Sequence, residues 1–148
     1  MDNEITLSFI AKSENEALAR MVMSSFIAEI DPTIEELSEF KTVISEAVTN
    51  AIVHGYDENG IGKIEIHAQR TGREIVVSII DSGRGIRDIN QAREPLFTTK
   101  PEEERSGMGF TIMESFSDDV DIYSIPDRGT TVTITKKFVP IQESCRTV

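Results

Sequence analysis

The sequence predicts an α+β domain: a two-layer α/β sandwich with a mixed, mainly antiparallel sheet, helices on one face of it and a lid-length loop. Three observations predict it. Hydrophobic periodicity runs in the order strand, helix, helix, strand, strand, long loop, helix, strand, strand. Both of the later strand pairs are joined by short turns, which make antiparallel hairpins. A chain of 148 residues, 39% apolar and 28% charged, suits one core and one domain.

Each element has its own signal. Ile5, Leu7, Phe9 and Ala11 alternate with Glu4, Thr6 and Ser8, the pattern of a half-buried strand. Ser13 and Glu16 have capping-box spacing and open a helix to about residue 30, with Leu18, Met21, Val22, Ser25 and Phe26 as its core stripe. Asp31 and Pro32 restart the chain as N-cap and first helical residue. The second helix reaches about residue 54, its apolar face traced by Leu37, Phe40, Ile44, Val48 and Ala51, and Gly55 stops it. Alternating strands over 62–70 and 74–81 flank a turn at Thr71, Gly72 and Arg73. Residues 82–106 carry Gly, Pro and many charges and form a long loop with at most one short helix, of the kind that often serves as a lid. A helix over 109–116 follows, then strands over 120–125 and 131–138 around a turn at 126–129. Residues 1–138 thus make the domain, and 139–148 a polar, flexible tail.

Composition excludes several functions. Fifteen Lys and Arg against twenty-six Asp and Glu give −11, which argues against nucleic acid and against anionic lipid. No apolar run approaches the roughly 20 residues of a membrane span, and the acidic start, Asp2 to Glu4, has no signal-peptide core, so the chain reads as cytoplasmic. One cysteine, Cys145, precludes an internal disulfide, and two histidines without HExxH make a zinc enzyme unexpected. The P-loop and the eukaryotic kinase motif set are both absent from the sequence.

Three segments carry chemistry. Glu46, Asn50 and His54 recur at i, i+4 and i+8 and share a helix side distinct from the apolar stripe. A carboxamide oxygen can ligate a hard cation such as Mg²⁺ while the carboxylate takes a proton, although the same pattern alone also fits a polar face in water. Asp81, Ser82, Gly83, Arg84 and Gly85 follow a strongly apolar strand. Such an Asp can accept from an exocyclic amine like that of adenine, and the glycines admit a close ligand; a plain Gly-rich turn is the simpler alternative. Ser106, Gly107, Met108, Gly109 and Phe110 stand where the long loop meets a helix, either an amide cradle for phosphate or a flexible helix start. Arg20 is the single cation between Ser13 and Phe40 and either anchors an acidic partner residue or snorkels at the surface. Met21, Met23, Met108 and Met113 read as packing, and His67 as solvated.

Taken together, in this order and spacing, the three segments resemble the N, G1 and G2 boxes of the GHKL ATPases, the group that holds Hsp90, MutL, type II topoisomerases and bacterial histidine kinases. The stretches 45–52, 95–101 and 104–113 narrow the likeness to the anti-sigma-factor serine kinases, nearest to the sporulation members, over about residues 1–138. The resemblance implies an ATP-dependent serine-protein kinase that sequesters an RNA polymerase sigma factor and phosphorylates a serine of an anti-anti-sigma factor. It further implies a homodimer, for which the first strand and helix are the expected surface.

On matching positions it implies Asn50 as the Mg²⁺ ligand and Glu46 as the general base. Asp81 would take the adenine amine of ATP or ADP, with Gly83 and Gly85 admitting the base and Thr130 supporting it. Ser106, Gly107, Met108 and Gly109 would line the phosphates, with Thr98, Thr99 and Lys100 in the lid and Arg105 beside the γ-phosphoryl. The G1 segment departs from the common pattern at Ser82, Arg84 and Arg87, where relatives commonly carry an acid, an apolar residue and Pro. The same chemistry also fits the kinase of a stress-response sigma circuit, and the nucleotide site alone fits a non-catalytic sequestering module.

Overall fold

A computed structural model describes residues 2–55, 62–83, 85–86, 89, 93 and 109–139, at 54 and 55 the backbone alone. Strand β1 spans Asn3–Ile10, helix α1 Glu14–Ile27, helix α2 Ile34–Asn50, β2 Lys63–Thr71, β3 Glu74–Asp81, helix α3 Gly109–Ser115, β4 Asp119–Ile125 and β5 Gly129–Lys137. A 3-10 turn, Ala28–Ile30, extends α1, and a π-helical turn, Ala51–Gly55, extends α2. The sheet order is β1-β2-β3-β5-β4. Every neighbouring pair in it is antiparallel, so the mixed character expected of the sheet is not found among the described strands.

Alternation along the strands builds a one-sided core. Ile64, Ile66 and Ala68 of β2, Ile75, Val77 and Ile79 of β3, Val120 and Ile122 of β4, and Val132 and Ile134 of β5 all turn inward and are buried. The helices supply Met23, Ile27, Phe40, Val43, Ile44 and Val48, each fully buried and each stabilising the fold by about 1.5–3 kcal/mol through area removed from water. His67 lies on the outward parity of β2, exposed beside Glu65.

Two helix starts differ from expectation. Ser13 has helical backbone angles and makes no side-chain cap, while Glu16 instead accepts a hydrogen bond from the Ser45 hydroxyl of α2. The second helix starts two residues later than the Asp31-Pro32 signal. Thr33, in extended backbone, accepts from the Glu36 N–H at 3.0 Å, and Glu36 accepts from the Thr33 N–H at 2.9 Å. Asp31 adopts φ +56° and turns the chain between the helices, a conformation Asp tolerates. The core stripe of α1 is also different: Ala19, Met23, Phe26 and Ile27 are buried, whereas Leu18 and Met21 are 48% and 69% exposed. Both stripes have helical spacing, and the one bearing Ala19 lets α1 approach its neighbours closely.

The middle of the inward sheet face is apolar and its two ends are polar. At one end Arg70 and Lys136 flank Ile75 across three strands. Arg70 donates to the Phe26 carbonyl at 2.7 Å and stands over the Phe26 ring, and Arg73 donates to the Ile30 carbonyl at 2.6 Å. Lys136 donates to the Phe116 carbonyl at 2.7 Å and to Glu39 at 3.2 Å. Neither α1 nor α3 has a basic residue in its own last turn, so the sheet supplies the cations that their C-terminal carbonyls favour. At the opposite end stand Asp81, Thr130 and Ser124, on β3, β5 and β4.

Glu36 also holds the chain beyond β5, accepting from the Val139 N–H at 2.9 Å. Burial works against its charge. Hydrogen bonds from the Thr33 and Val139 N–H groups and the Thr33 side chain, with the Arg73 charge, outweigh that and hold its carboxyl below the usual range. A carboxyl lowered in the folded state stabilises above its unfolded pKa, and that stabilisation is lost as pH falls through the folded value. Glu36→Gln is therefore expected to unfold more easily than the parent at neutral pH, with the difference shrinking below about pH 4; urea titrations across pH check this, and a gap that persists unchanged into acid would contradict it.

Candidate functional site

The polar end of the sheet is where the singled-out residues meet. Helix α2 carries Glu46 and Asn50 one turn apart, both half-buried, on the side away from Ile44 and Val48. Past Asn50 the helix widens into the π turn, which packs against β3 and β5 and so brings the end of α2 to the Asp81 end of the sheet. Such π turns often mark functional positions.

Gly109, the buried first residue of α3, closes the arrangement from the other side. A β-carbon placed there would lie 2.9 Å from Asn50 Nδ2, 3.2 Å from Asn50 Oδ1 and 3.3 Å from Glu46 Oε2. The start of α3 is thus in direct contact with the amide and carboxylate of α2. An amide oxygen beside a carboxylate is a hard-oxygen donor set of the kind Mg²⁺ takes.

Asp81 ends β3, and its side chain is buried. Its Oδ1 accepts from the Gly83 N–H at 2.9 Å, an Asx turn that folds the following loop back. Burial raises its carboxyl above the usual aspartate range, although hydrogen bonds from the Gly83 and Thr130 N–H groups oppose the shift. Two glycines allow the tight passage around it. Gly85 has φ +74°, and a β-carbon there would stand 2.3 Å from the Ile125 carbonyl oxygen. At Gly129, φ +129°, it would stand 2.1 Å from the Asp81 carbonyl oxygen. Both obstacles are backbone, which cannot yield as a side chain can.

Arg20 is less isolated than its sequence surroundings imply. It pairs with Glu16 at 3.5 Å and donates to Ser45 Oγ at 3.3 Å, bridging α1 to α2, and its side chain is 42% exposed beside the exposed Met21. Glu46, Asn50, Asp81, Gly83, Gly85, Gly109 and Thr130 are therefore placed at one end of the sheet or in its adjoining loop, and Arg20 lies in the helix layer. Thr98, Thr99, Lys100, Arg105, Ser106, Gly107 and Met108 lie outside the described residues. Missed in the sequence were the inward cations Arg70 and Lys136 and the inward hydroxyl Ser124. Their signal was available, since each falls on the buried parity of its strand, where an apolar residue is expected.

Comparison with known proteins agrees with this architecture. Residues 9–136 match the histidine kinase-like ATPase domain family. The chain is 61% identical to an anti-sigma F factor of Lysinibacillus sphaericus, over 96% of this chain and 97% of that protein. It is 55% identical to the anti-sigma F factor of Bacillus subtilis, over 98% and 99%. Among solved structures, the RsbU and RsbW domains of Rv1364c from Mycobacterium tuberculosis share the fold, with TM-score 0.66 and 22% identity over 92% of this chain and 32% of that one. The chain belongs to the histidine kinase-like ATPase domain family and, within it, to the anti-sigma F factor family. Among the described residues no helix is long and apolar enough to cross a membrane.

Two predictions follow from the geometry. A buried carboxyl with a raised pKa stabilises most below its unfolded pKa and loses that contribution as pH rises through the folded value. Asp81→Asn, which keeps the Gly83 hydrogen bond, is expected to melt no lower than the parent at neutral pH while binding ATP about ten- to a hundredfold more weakly; a lower melting temperature would contradict the burial argument. Gly109→Ala presses on the far ends of two side chains and not on backbone. It should cost less than about 1 kcal/mol of stability yet weaken Mg-ATP binding at least about tenfold, measured by calorimetry; unchanged affinity would detach this contact from the nucleotide.

Proposed function

We propose that this protein is an ATP-dependent protein-serine kinase that also binds and inhibits a sporulation sigma factor, and that it phosphorylates a serine of that sigma factor's anti-anti-sigma antagonist. The observation that supports this reading is the contact of the α3 start with both Glu46 and Asn50, an arrangement that would suit a base and a metal ligand acting on one phosphoryl group. Family membership supports it, as do the names of the relatives.

On this reading Asp81 takes the adenine amine of ATP, and Gly83, Gly85 and Thr130 shape the base pocket. Asn50 holds Mg²⁺ through its amide oxygen, and the ion supplies neutralisation of charge on the phosphates. Ser106, Gly107, Met108 and Gly109 line the phosphates under a lid carrying Thr98, Thr99 and Lys100. The incoming serine Oγ forms its bond to the γ-phosphorus as the bond to the β-bridging oxygen breaks and ADP leaves. Glu46 receives the serine proton, and Arg105 offsets charge on the γ-phosphoryl oxygens, a role worth ~10³-fold or more where it operates. Residues 1–138 are the kinase domain and the protein acts in the cytoplasm as a homodimer. Its β1 lies at the sheet edge, and the adjoining α1 exposes Leu18 and Met21, which suits pairing of two copies. Arg20, between those apolar residues, is proposed to meet an acidic residue of a protein partner.

The test is incubation of the purified protein with γ-labelled ATP, Mg²⁺ and the anti-anti-sigma protein, with Glu46→Ala alongside. Label should reach a partner serine with the parent and be reduced by at least about 10²-fold with the variant, while both bind ATP. Transfer that survives in the variant would remove Glu46 as the base. ATP binding without transfer by the parent would leave a sequestering module.

A further inference from the structure

The segment after Asp81 follows the edge strand β4 backwards. Gly85 has no room for a side chain against the Ile125 carbonyl, and the Ile86 N–H donates to Ser124 Oγ at 2.7 Å. Farther on, Arg93 donates through Nη2 to the Val120 carbonyl. Contacts made in the order 85, 86 and 93 thus fall on 125, 124 and 120. Ile86 and Ile89 pack against the core, and Ile89 and Arg93 have helical backbone. Arg93 ends this row of contacts as a cation, and the chemistry proposed above gives it no role.

Arg93 joins two elements at once. Its buried Nε stands 3.3 Å from Glu114 Oε1 on α3, while its Nη2 reaches β4. A planar guanidinium can hold a carboxylate and a carbonyl with two nitrogens at a fixed angle, which a single ammonium cannot. Helix α3 is only seven residues long, and it runs from Gly109, the residue against Asn50 and Glu46, to Ser115 beside Glu114. Its buried Met113 sets the depth of the helix, and Lys136 holds the Phe116 carbonyl from the sheet. Both contacts lie near its C-terminal end, about which so short a helix can still pivot. Arg93 grips Glu114 from the flank and opposes that motion, which would carry Gly109 across Asn50 and Glu46. The side chains of Arg93 and Glu114 are 34% and 46% exposed, so the pair adds little to global stability. What it fixes is the direction of α3.

We propose that Arg93 is a positioning residue for phosphoryl transfer: by clamping Glu114 of α3 to Val120 at the sheet edge, it sets the start of α3 against Asn50 and Glu46. This rests on the roles given to Asn50 and Glu46 in the function proposed above. Arg93 acts through α3 and not by touching the nucleotide. Loss of the clamp is therefore felt at the reacting phosphoryl group. The adenine end is spared, because Ile86 keeps its own bond to Ser124.

The experiment measures transfer of γ-labelled phosphate to the anti-anti-sigma protein at saturating Mg-ATP, at a temperature where every variant is folded, and ADP affinity by calorimetry. The proteins are the parent, Arg93→Ala, Glu114→Gln and the variant carrying both changes. Arg93→Ala should lower kcat about tenfold and change ADP affinity by less than about threefold. Glu114→Gln should lower kcat by a smaller factor, and the double variant should be no slower than Arg93→Ala, since both changes break one clamp. Arg93→Lys, which keeps the charge and loses the fork, gives the same split between kcat and ADP affinity if the alanine variant does not fold. An unchanged kcat, a matching loss of ADP affinity, or losses at 93 and 114 that multiply in full would each overturn the proposal. A parent that transfers no phosphate would instead remove the function proposed above, and this proposal with it.

Discussion

Two cations on the sheet and one in the turn between β2 and β3 hold the ends of the helical segments. Arg70, Arg73 and Lys136 each donate to a carbonyl at the C-terminal end of a helical segment, those of Phe26, Ile30 and Phe116. Lys136 and Arg70 are themselves buried, and a buried charge deprived of its partner costs about 3–5 kcal/mol, so these contacts tolerate little displacement. With the last carbonyls of α1 and α3 held at one end of the sheet, the start of α3 and the end of α2 fall at the other. The helix layer is thus aligned by its ends, and packing along the apolar middle of the sheet fills the space between.

The opposite end is built for approach. Gly109 brings the start of α3 against Asn50 and Glu46, and Gly85 and Gly129 bring loop and turn backbone against Ile125 and Asp81. The buried Asp81 is the counterpart of the cations: burial raises its carboxyl, and the Gly83 and Thr130 N–H groups offset this only in part. Buried cations thus stand at one end of the sheet and a buried carboxyl at the other.

Much of this was legible in the sequence, for physical reasons that vary by element. Strand alternation is strict in β2 and β3, so both were read as they are found, and on α2 the expected Phe40, Ile44 and Val48 are buried together with Val43 and Ala47, which the expected stripe left out. Helix α1 has apolar residues on two adjoining stripes, and periodicity cannot choose between them; the small Ala19 decides it by closeness of packing. Caps were ambiguous because Ser13, Asp31 and Thr33 all have capping chemistry, and only Thr33 has the extended backbone that aims its oxygen at the helix. Glu46, Asn50 and Asp81 stood out by residue type and spacing. The contact that gathers them, Gly109 against α2, joins positions more than fifty residues apart, and a glycine in the sequence does not say what it makes room for.

The order of the strands has a consequence for the growing chain. Strand β5 lies between β3 and β4, although β3 ends at Asp81 and β5 begins at Gly129. During synthesis the first three strands can pair as soon as they emerge, but the second edge of β3 then stays open until residues 129–137 have been made. Lys136 arrives last of the cations, and Thr130 and Ser124 arrive together with it on the final hairpin. The polar row that ends the core and the clamp that aligns α3 are therefore completed in the same step. A partly translated chain has Asp81 without its cross-strand neighbours, so this row of the sheet is completed only when the fold closes.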